Sequence, residues 1–172
     1  MLATHKDAEK RYGKIREQVI KIVNKDFKDD GLYGLEATII NQFALNESSN
    51  WCMSGNRRVK WDWVANYPSF KFSYPKRFEM ALWYEGKLVS LSLGRPTYNG
   101  SALRLDFIEG SPERPDDVRV FQATFAAMVI YADSIGAESL RIMNPINTKV
   151  REYYESFGLA YIARGDYLHF KL

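Results

Sequence analysis

Residues 147–159, Asn-Thr-Lys-Val-Arg-Glu-Tyr-Tyr-Glu-Ser-Phe-Gly-Leu, constrain the fold more than any other stretch, because short apolar runs bound them on both sides. Asn147 suits a helix N-cap, since its side-chain oxygen can accept an orphan amide hydrogen bond. Gly158 suits the left-handed residue just past a last turn. The stretch therefore predicts a strand, a helix of about three turns, a glycine stop and an immediate second strand.

Upstream, residues 77–84 and 87–94 read as two strands joined at Glu85-Gly86, and residues 102–109 read as a third. A long helix follows over roughly residues 118–135. In it Phe121, Phe125, Met128, Val129, Ala132 and Ile135 fall at helical spacing, and Gly136 ends it. That stripe reads as core packed on a sheet, not as a surface for a cofactor. A strand over 139–143 precedes the closing helix, and residues 159–163 and 167–170 form a terminal pair around Arg164-Gly165-Asp166. Strands, helix, strand, helix, strands is the order of an α/β (α+β) domain.

The closing helix resembles that of the GNAT acyltransferase superfamily, whose usual form is Asn-x-x-Ala-x-x-x-Tyr-Glu-x-Leu-Gly-Phe. Those places hold Asn147, Val150, Tyr154, Glu155, Phe157, Gly158 and Leu159, and with the element order the resemblance covers about 95 of the 172 residues. It implies one GNAT-like domain over 1–172 with a mixed, mostly antiparallel central sheet flanked by helices, made of a helical N-terminal part (1–50), an aromatic and basic connecting segment (51–76) and the core sheet and helices (77–172). It also implies an acyl-CoA-dependent N-acyltransferase, with acetyl-CoA or another acyl-CoA as co-substrate, an amine as acceptor and no metal. Tyr154 then occupies the place of the tyrosine that protonates the departing thiolate, and its ordinary pKa of ~10 leaves it a donor at neutral pH. Tyr153, about 100° away on the helix, reads as packing.

In this superfamily the coenzyme's pyrophosphate meets backbone amides at the start of the long helix, through Gln/Arg-x-x-Gly-x-Gly/Ala. Helix starts favour anions in general, because free N–H groups and the dipole point outward. The corresponding segment here is Asp116-Asp117-Val118-Arg119-Val120-Phe121, and neither glycine is present. Arg119 and the amides of Val118 and Val120 are the candidates for holding the cofactor by a modified route, with Arg114 as a further cation and Asn147 as a second contact. The two aspartates can serve as N-caps. The missing glycines also motivate an alternative, a catalytically lost GNAT-like scaffold that binds protein or nucleic acid.

For the base, Asp106 and Glu109 lie on or just after the third strand, on opposite faces by strict alternation. Either carboxylate could take a proton if burial raised its pKa. Asp106 could equally pair with Arg104 or Arg141, and Glu109 could face solvent. Glu79 on the hairpin is a weaker candidate, placed with the acceptor.

Residues 51–76 interleave Trp51, Trp61, Trp63, Tyr67, Phe70, Phe72 and Tyr74 with Arg57, Arg58, Lys60, Lys71 and Lys76. The simplest reading is an irregular segment pinned by its rings; a wall of the acceptor site, with Trp61 and Trp63 on the acceptor, and a stacking surface for bases are the alternatives. Before it, two N-terminal helices are predicted. Ile15, Val19, Ile22 and Val23 form the stripe of the first, over about 4–25, and Leu35, Ile39 and Phe43 mark the second, while no first strand is visible.

A net charge of +3 and a pI of about 8.9 permit nucleic acid without demanding it. The single cysteine, Cys52, cannot form an internal disulfide and fits a reducing compartment. No apolar run reaches the ~20 residues of a membrane span and the N-terminus lacks a signal-peptide core, so a soluble, cytoplasmic protein is expected. His5 and His169 are far apart and suggest no metal site.

Overall fold

A computed structural model describes residues 4–172; residues 1–3, where the predicted helical N-terminal part begins, lie outside the described residues. Helix α1 (His5–Asp29) starts at a capping box in which Thr4 and Asp7 satisfy each other's orphan groups. Its inner face buries Tyr12, Arg16, Val19, Val23 and Phe27. Then come β1 (Leu35–Thr38), α2 (Gln42–Ser49), a short 3-10 helix (Asn50–Met53) and α3 (Trp63–Ser73). The remaining elements are β2 (Phe78–Tyr84), β3 (Lys87–Pro96), β4 (Ala102–Gly110), α4 (Val120–Ile135), β5 (Ser139–Met143), α5 (Thr148–Glu155), β6 (Ala160–Ile162) and β7 (Tyr167–Lys171). Among the described residues no helix is long and apolar enough to cross a membrane.

The predicted order from residue 77 onward is the observed one. Asn147 caps α5 by accepting the Val150 amide at 2.9 Å, and Gly136 and Gly158 hold φ of 75° and 88°. The N-terminal third departs from expectation. Leu35 belongs to a strand and Phe43 to a separate helix, so the predicted helical pair does not form. Leu35, Ile39 and Phe43 are spaced by four and imitate a helical stripe, but pairing with β2, from Leu35↔Tyr84 to Thr38↔Ala81, overrides that local pattern. The strand that seemed missing is this one. Residues 51–76 are likewise not irregular throughout, because Asp62 caps α3 by accepting the Ala65 amide at 2.9 Å. The two helices between the first and second strands are therefore α2 and α3, and α1 is an addition before them.

The seven strands lie in the order β1-β2-β3-β4-β5-β7-β6. One face packs Phe78, Met80, Leu82, Leu103, Leu105, Leu140 and Ile142 against α1, α4 and α5. The other packs Ala81, Leu91 and Leu93 against α2, α3 and the rings of Trp51, Trp63, Tyr67 and Phe70. Each buried ring or branched side chain contributes about 1.5–3 kcal/mol, so both layers are strongly held.

Candidate active site

Every neighbouring pair of strands is antiparallel except β4 and β5, which run parallel and are paired only from Ala102↔Ser139 to Leu105↔Ile142. Beyond that last pair the two strands part. Two local features set the fork. In β4 the partners of Leu93 and Gly94 are Phe107 and Leu105, so Asp106 is the extra residue of a β-bulge. In β5 the chain turns off at Asn144, whose φ is 49°, and continues through Pro145 into α5. Gly94 lets the strands close up at the bulge, because a Cβ there would lie 2.1 Å from the Arg104 carbonyl oxygen.

Between the parted strands lies a cleft of about 240 Å³ whose lining includes Trp61, Asp106, Phe107, Met143, Pro145 and Tyr154. Trp63 also reaches it. Trp61 stacks on Phe107 with ring centroids 3.8 Å apart. Tyr154 enters from α5, its ring 4.2 Å from that of Phe121 on α4. Burial, with Tyr153 as a second influence, pushes its hydroxyl up to about 12. It therefore holds its proton.

The bulge corrects the expectation of strict alternation: with an extra residue in β4, Asp106 and Glu109 both turn toward the α3 side. Asp106 accepts a hydrogen bond from Arg104 Nε at 2.7 Å and lies 3.5 Å from Arg95 Nε, while Arg95 stacks on Tyr74 at the end of α3. Burial raises its carboxyl above the ordinary value, against the opposing pull of Arg104 and Arg95. Two buried polar atoms on cleft residues lack a full hydrogen bond: the Trp61 Nε1 donor has no partner, and Asp106 Oδ2 has only the Arg95 Nε contact at 3.5 Å. Such orphans are uncommon in native interiors.

Glu109 is buried, not solvent-facing. Its Oε1 takes Arg57 Nε at 2.7 Å, and its Oε2 takes Arg57 Nη2 at 3.1 Å and Trp63 Nε1 at 2.7 Å. Glu79 lies elsewhere, in a buried network with Arg77 at 2.9 Å, Arg16 at 3.2 Å and the Tyr67 hydroxyl. At the start of α4 the amide of Val118 donates to Pro115 and that of Val120 to Val118, and both side chains are buried. Arg119 occupies the N-cap position without a side-chain cap and lines a separate hollow of about 600 Å³ against the end of α1. That hollow also holds Asp26, Asp29, Asp30 and Asp117. The fold thus gathers Tyr154, Asp106, Trp61 and Trp63 at one cleft, with Asn147 at the start of α5 behind it. Arg119, Val118, Val120, Glu79 and Glu109 stand apart.

Sequence reasoning named Arg57 only among the cations of residues 51–76, without its tie to Glu109, and missed Arg95 and Asn144. Arg57 and Arg95 are surface-type residues whose partners lie far off in sequence. Asn before Pro, just after an apolar strand, was the available signal for the turn at Asn144.

No family model matches the sequence, and no curated protein matches it. Solved structures do. A GNAT-family acetyltransferase from Staphylococcus aureus aligns with a TM-score of 0.64 at 10% identity, covering 80% of this chain and 99% of its own. A mutant spermidine N-acetyltransferase from Vibrio cholerae gives 0.61 at 12% identity, over 81% of this chain and 94% of its own. A ribosomal α-N-protein acetyltransferase in complex with coenzyme A gives 0.60 at 9% identity, over 81% and 94%. By these alignments over four fifths of its length, the chain has the GNAT fold.

Proposed function

We propose that this protein is an acyl-CoA-dependent N-acyltransferase that moves an acetyl group to an amine. The observation that carries the reading is the fork between β4 and β5, which holds a tyrosine hydroxyl raised by burial, an unpartnered donor and a carboxylate in one cleft. Such a set fits a bound thioester and an ammonium group, since one offers an acceptor oxygen and the other a donor. Bound acyl-CoA would supply an acyl group activated by its thiol leaving group. In the transfer the carbon–sulfur bond breaks and a carbon–nitrogen bond forms.

Asp106 is assigned the ammonium proton, directly or through water, because burial makes its carboxylate a stronger base than a surface aspartate. Tyr154 is assigned the proton that the thiolate needs. Trp61 Nε1 is the donor for an oxygen held in the cleft, and Trp63, fixed by Glu109, supports its wall. For the coenzyme's phosphates Arg119 is the cation at the start of α4, with Asn147 as a further contact, since the amides of Val118 and Val120 already donate to carbonyls. Glu109 and Glu79, each engaged by arginines, are assigned to holding the site's frame.

Titration calorimetry with acetyl-CoA, followed by coenzyme A release in the presence of a panel of amines, tests the reading. Micromolar binding and amine-dependent release are the expected results. Absence of binding at millimolar acetyl-CoA would overturn it.

A further inference from the structure

Just before β4 and β5 part, their registers set arginines side by side. Arg95 on β3 faces Arg104 on β4, and Arg104 faces Arg141 on β5. Directly opposed residues project from the same face of a sheet, so these three side chains form one row across three strands, roughly 10 Å from end to end. The row lies on the face away from α4, since Leu103, Leu105, Leu140 and Ile142, its neighbours along the strands, are buried in the α4 layer. The arginines themselves are only half-buried. Asp106, a lining residue of the cleft, borders the row.

Like charges placed directly opposite one another destabilise a sheet unless something offsets them. Asp106 is the one carboxylate ion-paired to the row among the described residues, bound to Arg104 and Arg95. Arg141 has no ion-pair partner there; its guanidinium stacks on the Tyr167 ring at 4.7 Å. Arg141 Nε is buried without a hydrogen-bond partner, whereas Arg95 Nε has Asp106 Oδ2 at 3.5 Å. Three guanidiniums less one carboxylate leave the row two positive charges in excess, with one unfilled donor, at the base of the fork.

We propose, resting on the acyltransferase reading above, that this row is the anion-binding half of the acceptor site and that the acceptor is an amine bearing a phosphate monoester. A phosphate monoester near pH 7 carries about −1.5 to −2 charges and three acceptor oxygens, which matches the row's excess charge and its fork-shaped donors. Its amine then reaches the Asp106 carboxylate, and the phosphate stays over Arg104 and Arg141. One molecule thus offsets the arginine row and presents its nitrogen to the cleft.

Calorimetric binding of O-phosphoethanolamine, ethanolamine and β-alanine, with no acyl donor present, tests this assignment. O-phosphoethanolamine should bind at least about tenfold more tightly than either of the others, and Arg141→Gln should erase about tenfold of that affinity. Arg141→Lys should keep part of it, because the charge remains without the fork. Arg95→Gln, at the other end of the row, provides an independent variant, with the thermal midpoint of each confirming that it folds. Equal affinities for the three ligands, equal affinities of wild type and both glutamine variants, or β-alanine binding as tightly as the phosphate ester would each overturn the proposal. The acyl donor is absent from these titrations, so the two failures are distinguishable: a phosphate site without acetyl-CoA binding refutes the acyltransferase and leaves the row an anion site without an acceptor role, and acetyl-CoA binding without phosphate preference refutes only this row.

Discussion

Gly94 is where the geometry of the cleft depends on a single missing carbon. An added Cβ would sit 2.1 Å from the Arg104 carbonyl oxygen, a contact that no side-chain rotation relieves. Gly94→Ala should therefore destabilise the fold by about 1–3 kcal/mol, the usual cost of overpacking, as measured by urea unfolding. The bulge at Asp106 is the local structure at stake, so acceptor use should suffer beyond the loss of stability. Tyr154 raises a different expectation at this scale. Its ring packs on Phe121 while its hydroxyl has no partner among the side-chain hydrogen bonds of the site, so Tyr154→Phe should leave stability nearly unchanged. Turnover should fall by about 10- to 1000-fold if the hydroxyl supplies the thiolate's proton. An unchanged rate would remove Tyr154 from the chemistry.

Among the elements, the segment before α3 is held to the sheet by the stacking of Trp61 on Phe107 and by one polar clamp. Glu109 receives both Arg57 and Trp63, and the Arg57 and Glu109 side chains are 14% and 3% exposed. Removing one partner of such a pair leaves the other buried and uncompensated, at a cost of about 3–5 kcal/mol. Arg57→Ala should thus loosen residues 54–62 and speed tryptic cleavage at Arg58 and Lys60, both exposed, relative to the wild type. The paired substitutions Trp61→Ala and Trp63→Ala should impair acceptor use more than acetyl-CoA binding, once circular dichroism has confirmed the fold. From residue 77 onward the elements were legible in the sequence because each carries its own punctuation: Glu85-Gly86, Gly136, Asn147 and Gly158 mark ends that local chemistry dictates. The four residues of β1 are too few to show alternation, and only pairing with β2 defines them. The bulge was also hidden, since it arises from register between two strands, and so the common orientation of Asp106 and Glu109 could not be read from spacing.

Over the whole molecule, α1 is joined to the sheet by charge as well as by its apolar stripe. Arg16 reaches Glu9, Glu79 and the Pro75 carbonyl, and Arg77 reaches Glu9 and Glu79. Arg16→Ala should cost about 3–5 kcal/mol, because Glu79 would lose one of its two buried cations. Stability should also respond to alkali. Burial raises the hydroxyls of Tyr67, Tyr131 and Tyr154 above their ordinary value, so folding favours their neutral forms. That contribution is complete below about pH 10, the unfolded value, and is lost as pH climbs toward about 12 for Tyr154 and higher for the other two. The urea midpoint should therefore drop across this window, with the late-titrating tyrosinates appearing only as the chain unfolds. The parallel seam between β4 and β5 has a consequence in time. Its partners, Ala102–Leu105 and Ser139–Ile142, are separated in sequence by the rest of β4, a loop and all of α4, whereas β2, β3 and β4 follow one another through short turns. Pairings between distant segments form slowly. On refolding, the meander should recover first and the seam last, so the two walls of the cleft meet only at the final step and ligand binding returns after the bulk of the secondary structure.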